Sequence, residues 1–319
     1  MTDNSEIDTT IEDSLIVKND EGLTVVQVGL LGTLYFEDAH TPVMREAVLA
    51  CFDAYWDLCG EHLHWVTHPK THQWKPIEKI KEHPRHWILA RNENESWQLS
   101  YQGGASQKEA SHFRFEVLGT PAWERESVLS YLHFCLPITF FADREGGLPE
   151  LLLDFAGRLN PVHGYAGLGL IESYDSNLRF QYEPAVYGMS QRFPGLEVDY
   201  PTAHSIYGKT GIKSVNWLTV LANDLLASLG GTDRICEQLG DEYLMHAYPG
   251  GAIIQAGPRP QLGDRNRDRW PDRYVKLAHL VEPIRLKDHR SFHEYGINRF
   301  TLESTAEWLA RFDDINPAP

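Results

Sequence analysis

Residues Leu23–Phe36 read LTVVQVGLLGTLYF, a mostly apolar, β-favouring run with glycines at positions 29 and 32. Such a run predicts one long strand, with a bulge expected at Gly29 or Gly32. Thr41 then caps a helix. Pro42 fits its first turn, and Val43, Ala47, Val48, Cys51, Ala54, Tyr55 and Leu58 recur at helical spacing until Gly60 stops it. A long strand followed by an amphipathic helix opens an α/β or α+β fold.

Working outward, His62–His86 is polar and broken by Pro69, Pro76 and Pro84, which predicts a loop with a short helix near Ile77–Lys81. Trp97–Tyr101 and His112–Leu118 read as an antiparallel strand pair. The apolar run Val128–Leu136 fits either a strand or a short helix. Leu148–Leu159 predicts a helix and Gly164–Ile171 a strand; Tyr182–Arg192 and Val215–Leu229 predict further helices, the latter capped by Ser214 and stopped by Gly230-Gly231. Tyr243–His246 and Ala252–Ala256 flank Tyr248-Pro249-Gly250-Gly251, a hairpin signal. Tyr274–Leu280 and Thr301–Phe312 close the chain as helices. The expectation is an α+β fold: two similar mixed α/β halves packed together, with mostly antiparallel sheets and flanking helices. The division falls into an acidic flexible tail over residues 1–22, an N-terminal half over 23–150 and a C-terminal half over 151–319.

The chain has 319 residues, 42% of them hydrophobic and nine of them Trp, enough apolar material for a large core. Its 45 acidic against 29 basic residues leave a formal charge of −16, which disfavours direct nucleic-acid binding and suits a basic partner. The tail holds seven of the acids and one Lys. Met1 is followed by acidic and polar residues with neither a positive n-region nor an apolar h-region, and no apolar run reaches the ~20 residues of a membrane helix. Cys51, Cys59, Cys135 and Cys236 are scattered. These features place the chain in a reducing cytoplasm, away from the membrane.

Chemistry is sparse in the pattern. His62, His64, His68 and His72 cluster, but Pro69 interrupts the helix that would put His68 and His72 on one face, so a solvated His-rich loop is the reading rather than a metal site. No G-x-S-x-G motif surrounds a serine; Gly167-Leu168-Gly169 lacks the rest of a dinucleotide fingerprint, and Gly208-Lys209-Thr210 lacks the glycine loop of a P-loop. Carboxylate pairs such as Asp154 and Glu172 carry little weight in an acidic chain. Arg259, Arg265, Arg267 and Arg269 read as a loop self-paired with Asp264, Asp268 and Asp272. No catalytic residue, metal ligand or cofactor-binding residue is assigned.

Seven segments in order nevertheless form a pattern: Phe115–Trp123 (FEVLGTPAW), His163–Gly167 (HGYAG), Glu183–Ala185 (EPA), Arg192–Asp199 (RFPGLEVD), Gly211–Lys213 (GIK), Val215–Leu218 (VNWL) and Ile254–Pro258 (IQAGP). As a set they resemble the TsiV-type immunity proteins of the type VI secretion system, over roughly residues 23–313. The resemblance implies a cytoplasmic antitoxin, not an enzyme, that binds and neutralises a cognate effector toxin. Effectors paired with this family are often nucleases with a restriction-endonuclease-like core. It transfers no catalytic residues, and its motif residues look like fold determinants.

With such a partner the negative charge acquires a use, because an acidic surface can occupy a nuclease's basic groove and steer the encounter. The candidate partner contacts are Glu172, Asp175, Glu183, Glu197, Asp199, Asp241 and Glu242, with Tyr174, Tyr182 and Tyr200 as aromatic anchors. Two alternatives stay open. One is an enzyme acting on a cationic or metal-bound substrate, which requires a concave pocket with converging acids. The other is a secretion-system adaptor.

Overall fold

The long strand predicted at the start is β2 (Thr24–Phe36), and it lies at the centre of the sheet. The computed structural model describes residues 15–80, 82–141, 147–292 and 299–316. Lys81, at the end of the short helix expected near Ile77, and most of the acidic tail, residues 1–14, lie outside them. On one side of β2 come β7 (Ser130–Leu136), β6 (Arg114–Gly119), β5 (Trp97–Gln102), β3 (Trp65–Thr67) and β4 (Trp74–Pro76). On the other come β8 (His163–Glu172), β10 (Leu218–Ala222), β12 (Gly251–Ala256) and β11 (Tyr243–Tyr248). β1 (Ile16–Lys18) pairs with β2, and β9 (Glu197–Val198) pairs with β8, the one parallel ladder among the described residues. The fold is α+β on a mostly antiparallel sheet. The seam is the ladder from Val26↔Glu172 to Tyr35↔His163, through which the two long strands share a single sheet.

No bulge occurs at Gly29 or Gly32, where the register of β2 with β7 and β8 is unbroken; the shift lies against β1, where Val25 of β2 is the extra residue opposite Val17 and Lys18. Close approach explains the glycines instead. A Cβ on Gly32 would stand 2.5 Å from the Phe134 ring, and one on Gly29 2.5 Å from Ile171.

Thr41 caps α1 (Pro42–Cys59), its hydroxyl accepting the Met44 N–H at 3.2 Å. Thr41→Ala is expected to cost about 1 kcal/mol in urea unfolding, the usual loss for an N-cap. With α3 (Gly147–Leu159), α1 covers the apolar face of the sheet. Phe52 and Tyr55 from α1 and Phe155 from α3 meet Tyr101, Phe115 and Phe134 at ring-centroid distances of 4.8 to 6.4 Å. α2 (Pro84–Leu89) follows β4.

The second half departs from the sequence reading in two places. α4 (Ser176–Arg192) begins at Ser176 rather than Tyr182, because Asp175 caps it by accepting the N–H groups of Asn177 (3.0 Å) and Leu178 (3.2 Å). Val215–Leu229 is not one helix. Leu218–Ala222 is strand β10, seated between β8 and β12 with Leu218, Val220 and Leu221 all buried, and only α6 (Asn223–Ser228) is helical. A strand buried on both faces gives a continuous apolar run that periodicity cannot tell from a buried helix. The glycine stop holds, with φ of 96° and 90° at Gly230 and Gly231. α5 (Pro201–Tyr207), α7 (Thr232–Leu239), α8 (Asp272–Val281) and α9 (Leu302–Leu309) complete the helices described. None of the described helices is long and apolar enough to cross a membrane.

Candidate functional site

Opposite the aromatic face, the same strands present polar groups at every second position: Arg114 and Glu116 on β6, Tyr131 and His133 on β7, Thr33 on β2 and Tyr165 on β8. β9 then brings two acids onto this face. Asp199 accepts hydrogen bonds from Thr33 Oγ1 and from Tyr165 Oη at 2.6 Å, and lies 3.2 Å from His133 Nδ1. Glu197 meets Lys213 Nζ at 2.6 Å, and the same ammonium donates to the Val198 carbonyl at 2.8 Å and to His204 Nε2 at 3.0 Å. Lys213 also sits 4.4 Å from the centre of the Tyr165 ring. All these side chains are buried, so charge is held here by partners and not by water.

The imidazoles in this network are fixed by their neighbours. His204 Nε2 accepts from the Tyr200 N–H at 3.2 Å and from Lys213, so its proton is on Nδ1, from which it donates to His289 Nε2 at 2.8 Å. His289 in turn donates from Nδ1 to the Arg290 carbonyl. Burial, reinforced by the Lys213 charge, holds His204 and His289 below the ordinary histidine value. Burial disfavours the charged form of His133 too, but Cys135 and Asp199 outweigh it and raise the group to about 10. Cys135 Sγ is 3.2 Å from His133 Nε2. Thiol, imidazole and carboxylate thus stand in the order of a nucleophile, base and orienting group. Cys135 is 1% exposed and, unlike His133 and Asp199, does not line the adjoining cavity, so the sulfur is shielded from it.

That cavity has a volume of about 770 Å³, within the range of small-ligand sites. The sheet forms its floor with Arg114, Glu116, Tyr131 and His133; Glu172 and Tyr174 follow from β8, and Arg179 and Phe180 of α4 face Tyr200 and α5 across it. Tyr131 Oη donates to Glu116 at 2.6 Å. Arg114 donates to the Glu172 carbonyl at 2.7 Å and stacks 5.1 Å from the Tyr174 ring centre, while Arg179 lies 4.9 Å from that of Tyr200. Burial raises the Glu172 carboxyl above the ordinary range against the opposing pull of Arg179 and Tyr200. A concave pocket with converging acids, the feature the enzymatic alternative requires, is therefore present. Among the described residues no group of three or more His, Cys, Asp or Glu is placed to hold a metal.

Of the candidate contacts, Glu172, Tyr174, Asp199 and Tyr200 line this one cavity, and Asp175 stands beside it as the α4 cap, paired with Lys108 at 3.3 Å. Tyr182 is half-buried on α4. Glu183 is fully buried, accepting the N–H groups of Arg299 (3.0 Å) and Phe300 (2.7 Å). Asp241 and Glu242 are exposed elsewhere, ahead of β11, and Glu242 pairs with Arg273 at 3.1 Å. Arg114, Glu116, Tyr131, His133 and Arg179 escaped the sequence reading. The signal for four of them was the alternation of polar with apolar residues in Arg114–Leu118 and Tyr131–Cys135. The arginine loop pairs within itself, Asp264 with Arg267 at 3.6 Å, and is also tied to α4, where the same carboxylate takes Arg192 at 3.1 and 3.0 Å.

A family model described as TsiV, type VI immunity for VRR-NUC, matches residues 47–312. The chain belongs to the TsiV family of type VI immunity proteins. Among solved structures it is similar to the Pseudomonas aeruginosa type VI secretion system protein PA0821, with a TM-score of 0.85 and 30% identity over 93% of this chain and 87% of that one. Comparison with the curated proteins gives no match. TsiV motif segments supply the buried network: Arg192–Asp199 carries Glu197 and Asp199, and Gly211–Lys213 carries their cation. Two more segments are joined where Trp217 Nε1 donates to the Gly257 carbonyl at 2.9 Å.

Proposed function

We propose that this chain neutralises a VRR-NUC nuclease effector by binding it in the cytoplasm and covering its active site or nucleic-acid groove with acidic surface. Membership of a family described as type VI immunity for VRR-NUC carries the reading. Charge supports the acidic part. Within residues 223–242, Asp224, Asp233, Glu237, Asp241 and Glu242 are all exposed and Arg234 is the single basic residue, alongside the sheet's edge strand β11. A field of one sign accelerates capture of a basic partner and repels nucleic acid.

Cells producing the effector should survive only when this chain is co-expressed, and protection should titrate at one chain per effector. Protection at far below equimolar amounts would favour the enzymatic alternative suggested by the cavity; failure of two well-folded partners to form a complex would defeat the binding reading. Reversing Asp233, Glu237 and Asp241 to Lys should slow association about tenfold at low salt, with the deficit shrinking at high salt. An unchanged association rate would remove the acidic surface from the mechanism.

A further inference from the structure

The cavity between α4 and α5 combines two features that the buried network does not explain. Three buried side-chain polar atoms of residues lining this cavity have no hydrogen-bond partner: Arg114 Nε, Arg179 Nε and Glu172 Oε2. Arg114 and Glu172 are only 8% and 4% exposed, and Glu172 Oε2 stands 3.9 Å from Arg179 Nε, too far for a hydrogen bond. Leaving such atoms unmatched is costly, which marks a site where something else completes them. The second feature is at the mouth. Phe180 of α4 and Ile206 of α5 line the cavity and are 47% and 49% exposed, two of the few large apolar side chains that this acidic surface leaves in solvent.

The lining selects the class of occupant. Two unmatched N–H donors and one unmatched carboxylate oxygen are the complement of a group that offers both acceptors and donors, as a polypeptide does through its C=O and N–H groups. A polyanion would satisfy the two guanidinium groups but meet Glu116, Glu172 and Asp199, so nucleic acid and free phosphates fit poorly. Exposed apolar lips around a desolvated polar centre are the anatomy of a protein-binding hot spot.

We propose that this cavity is the docking pocket for a polypeptide segment of the effector, which inserts between Phe180 and Ile206 and completes Glu172, Arg114 and Arg179. The inference rests on the partner reading above and specifies where that partner is held. An inserted segment carrying Lys or Arg would add charge complementarity with Glu172. Association steered by the 223–242 acids and retention by the pocket then separate kinetically, since contacts made in a fully desolvated centre govern dissociation.

The test uses the full chain and a catalytically inactivated VRR-NUC effector. Phe180→Asp with Ile206→Asp, both at exposed positions, should speed dissociation and weaken Kd about 30-fold or more, with urea midpoints near the parent's. A photo-crosslinking residue at position 180 should join a single effector peptide, identified by mass spectrometry. Wild type that fails to bind the effector would sink the partner reading itself. Wild type that binds while the double variant binds equally well, or a crosslink to no effector peptide, would overturn the pocket alone, including the case in which the cavity instead takes a small molecule.

Discussion

Lys213→Ala is expected to destabilise the fold by about 3–5 kcal/mol, the cost of removing one partner from a buried ion pair. Lys213 is 1% exposed in its side chain, and its ammonium is the nearest cation to Glu197 (2.6 Å) while standing 3.8 Å from Asp199. Those carboxylates are 0% and 2% exposed, so neither can turn to water when the cation is lost. Against a total stability of about 5–15 kcal/mol for a folded domain, such a loss is a large fraction. The damage would spread because Asp199 also ties Thr33 on β2 to Tyr165 on β8, across the seam of the sheet. Urea unfolding checks the expectation, and a second variant separates its causes. Glu197→Gln combined with Lys213→Met removes both charges of the close pair and should cost less than Lys213→Ala alone. A midpoint for Lys213→Ala within error of wild type would show that the network is not what holds these segments together.

The buried network also explains which parts of the molecule were legible in the sequence. Elements with a local signature were readable: Thr41 before Pro42, the alternation around β5 and β6, and the Tyr248-Pro249-Gly250-Gly251 turn each fix a backbone conformation by short-range chemistry. β10 was not, because burial on both faces erases the period that separates strand from helix. Acidic residues were the least transparent. Glu183, Glu197 and Asp199 carry the same charge as Asp241, yet the first three are buried on partners from distant segments: Phe300 for Glu183, Lys213 for Glu197, and Thr33 and Tyr165 for Asp199. Only tertiary structure decides whether a carboxylate faces solvent or a buried cation. The cavity was hidden for the same reason: Arg114, Tyr131, Glu172, Arg179 and Tyr200 come from four separate stretches of chain and meet only after the sheet closes.

Acidification should weaken the fold well before the carboxylates titrate. His163 is buried with Nε2 donating to the Gly208 carbonyl at 2.9 Å, which leaves it neutral with its proton on Nε2. Burial, aided by the Lys213 charge and only partly offset by that bond, lowers it from 6.5 to about 4. In the unfolded chain the same ring gains its proton near pH 6.5. Between these values the unfolded state binds more protons, so stability falls as pH falls, by an amount on the order of 3 kcal/mol once both states are protonated. His204 and His289 are displaced in the same direction and add to the slope. His133 works on the other side: raised from 6.5 to about 10, its contribution is complete below pH 6.5 and is lost as pH climbs through 10. Asp199, held below the ordinary range by Lys213 and His133 against the cost of burial, adds a loss only as pH falls below about 4. Stability should therefore peak near pH 6.5, with urea midpoints dropping markedly from pH 7 to pH 5. His163→Gln should flatten part of that acid limb, because a glutamine amide can donate to Gly208 without gaining a charge. A flat midpoint between pH 7 and pH 5, or an equally steep limb in the variant, would show that the buried imidazoles are not the groups that set it.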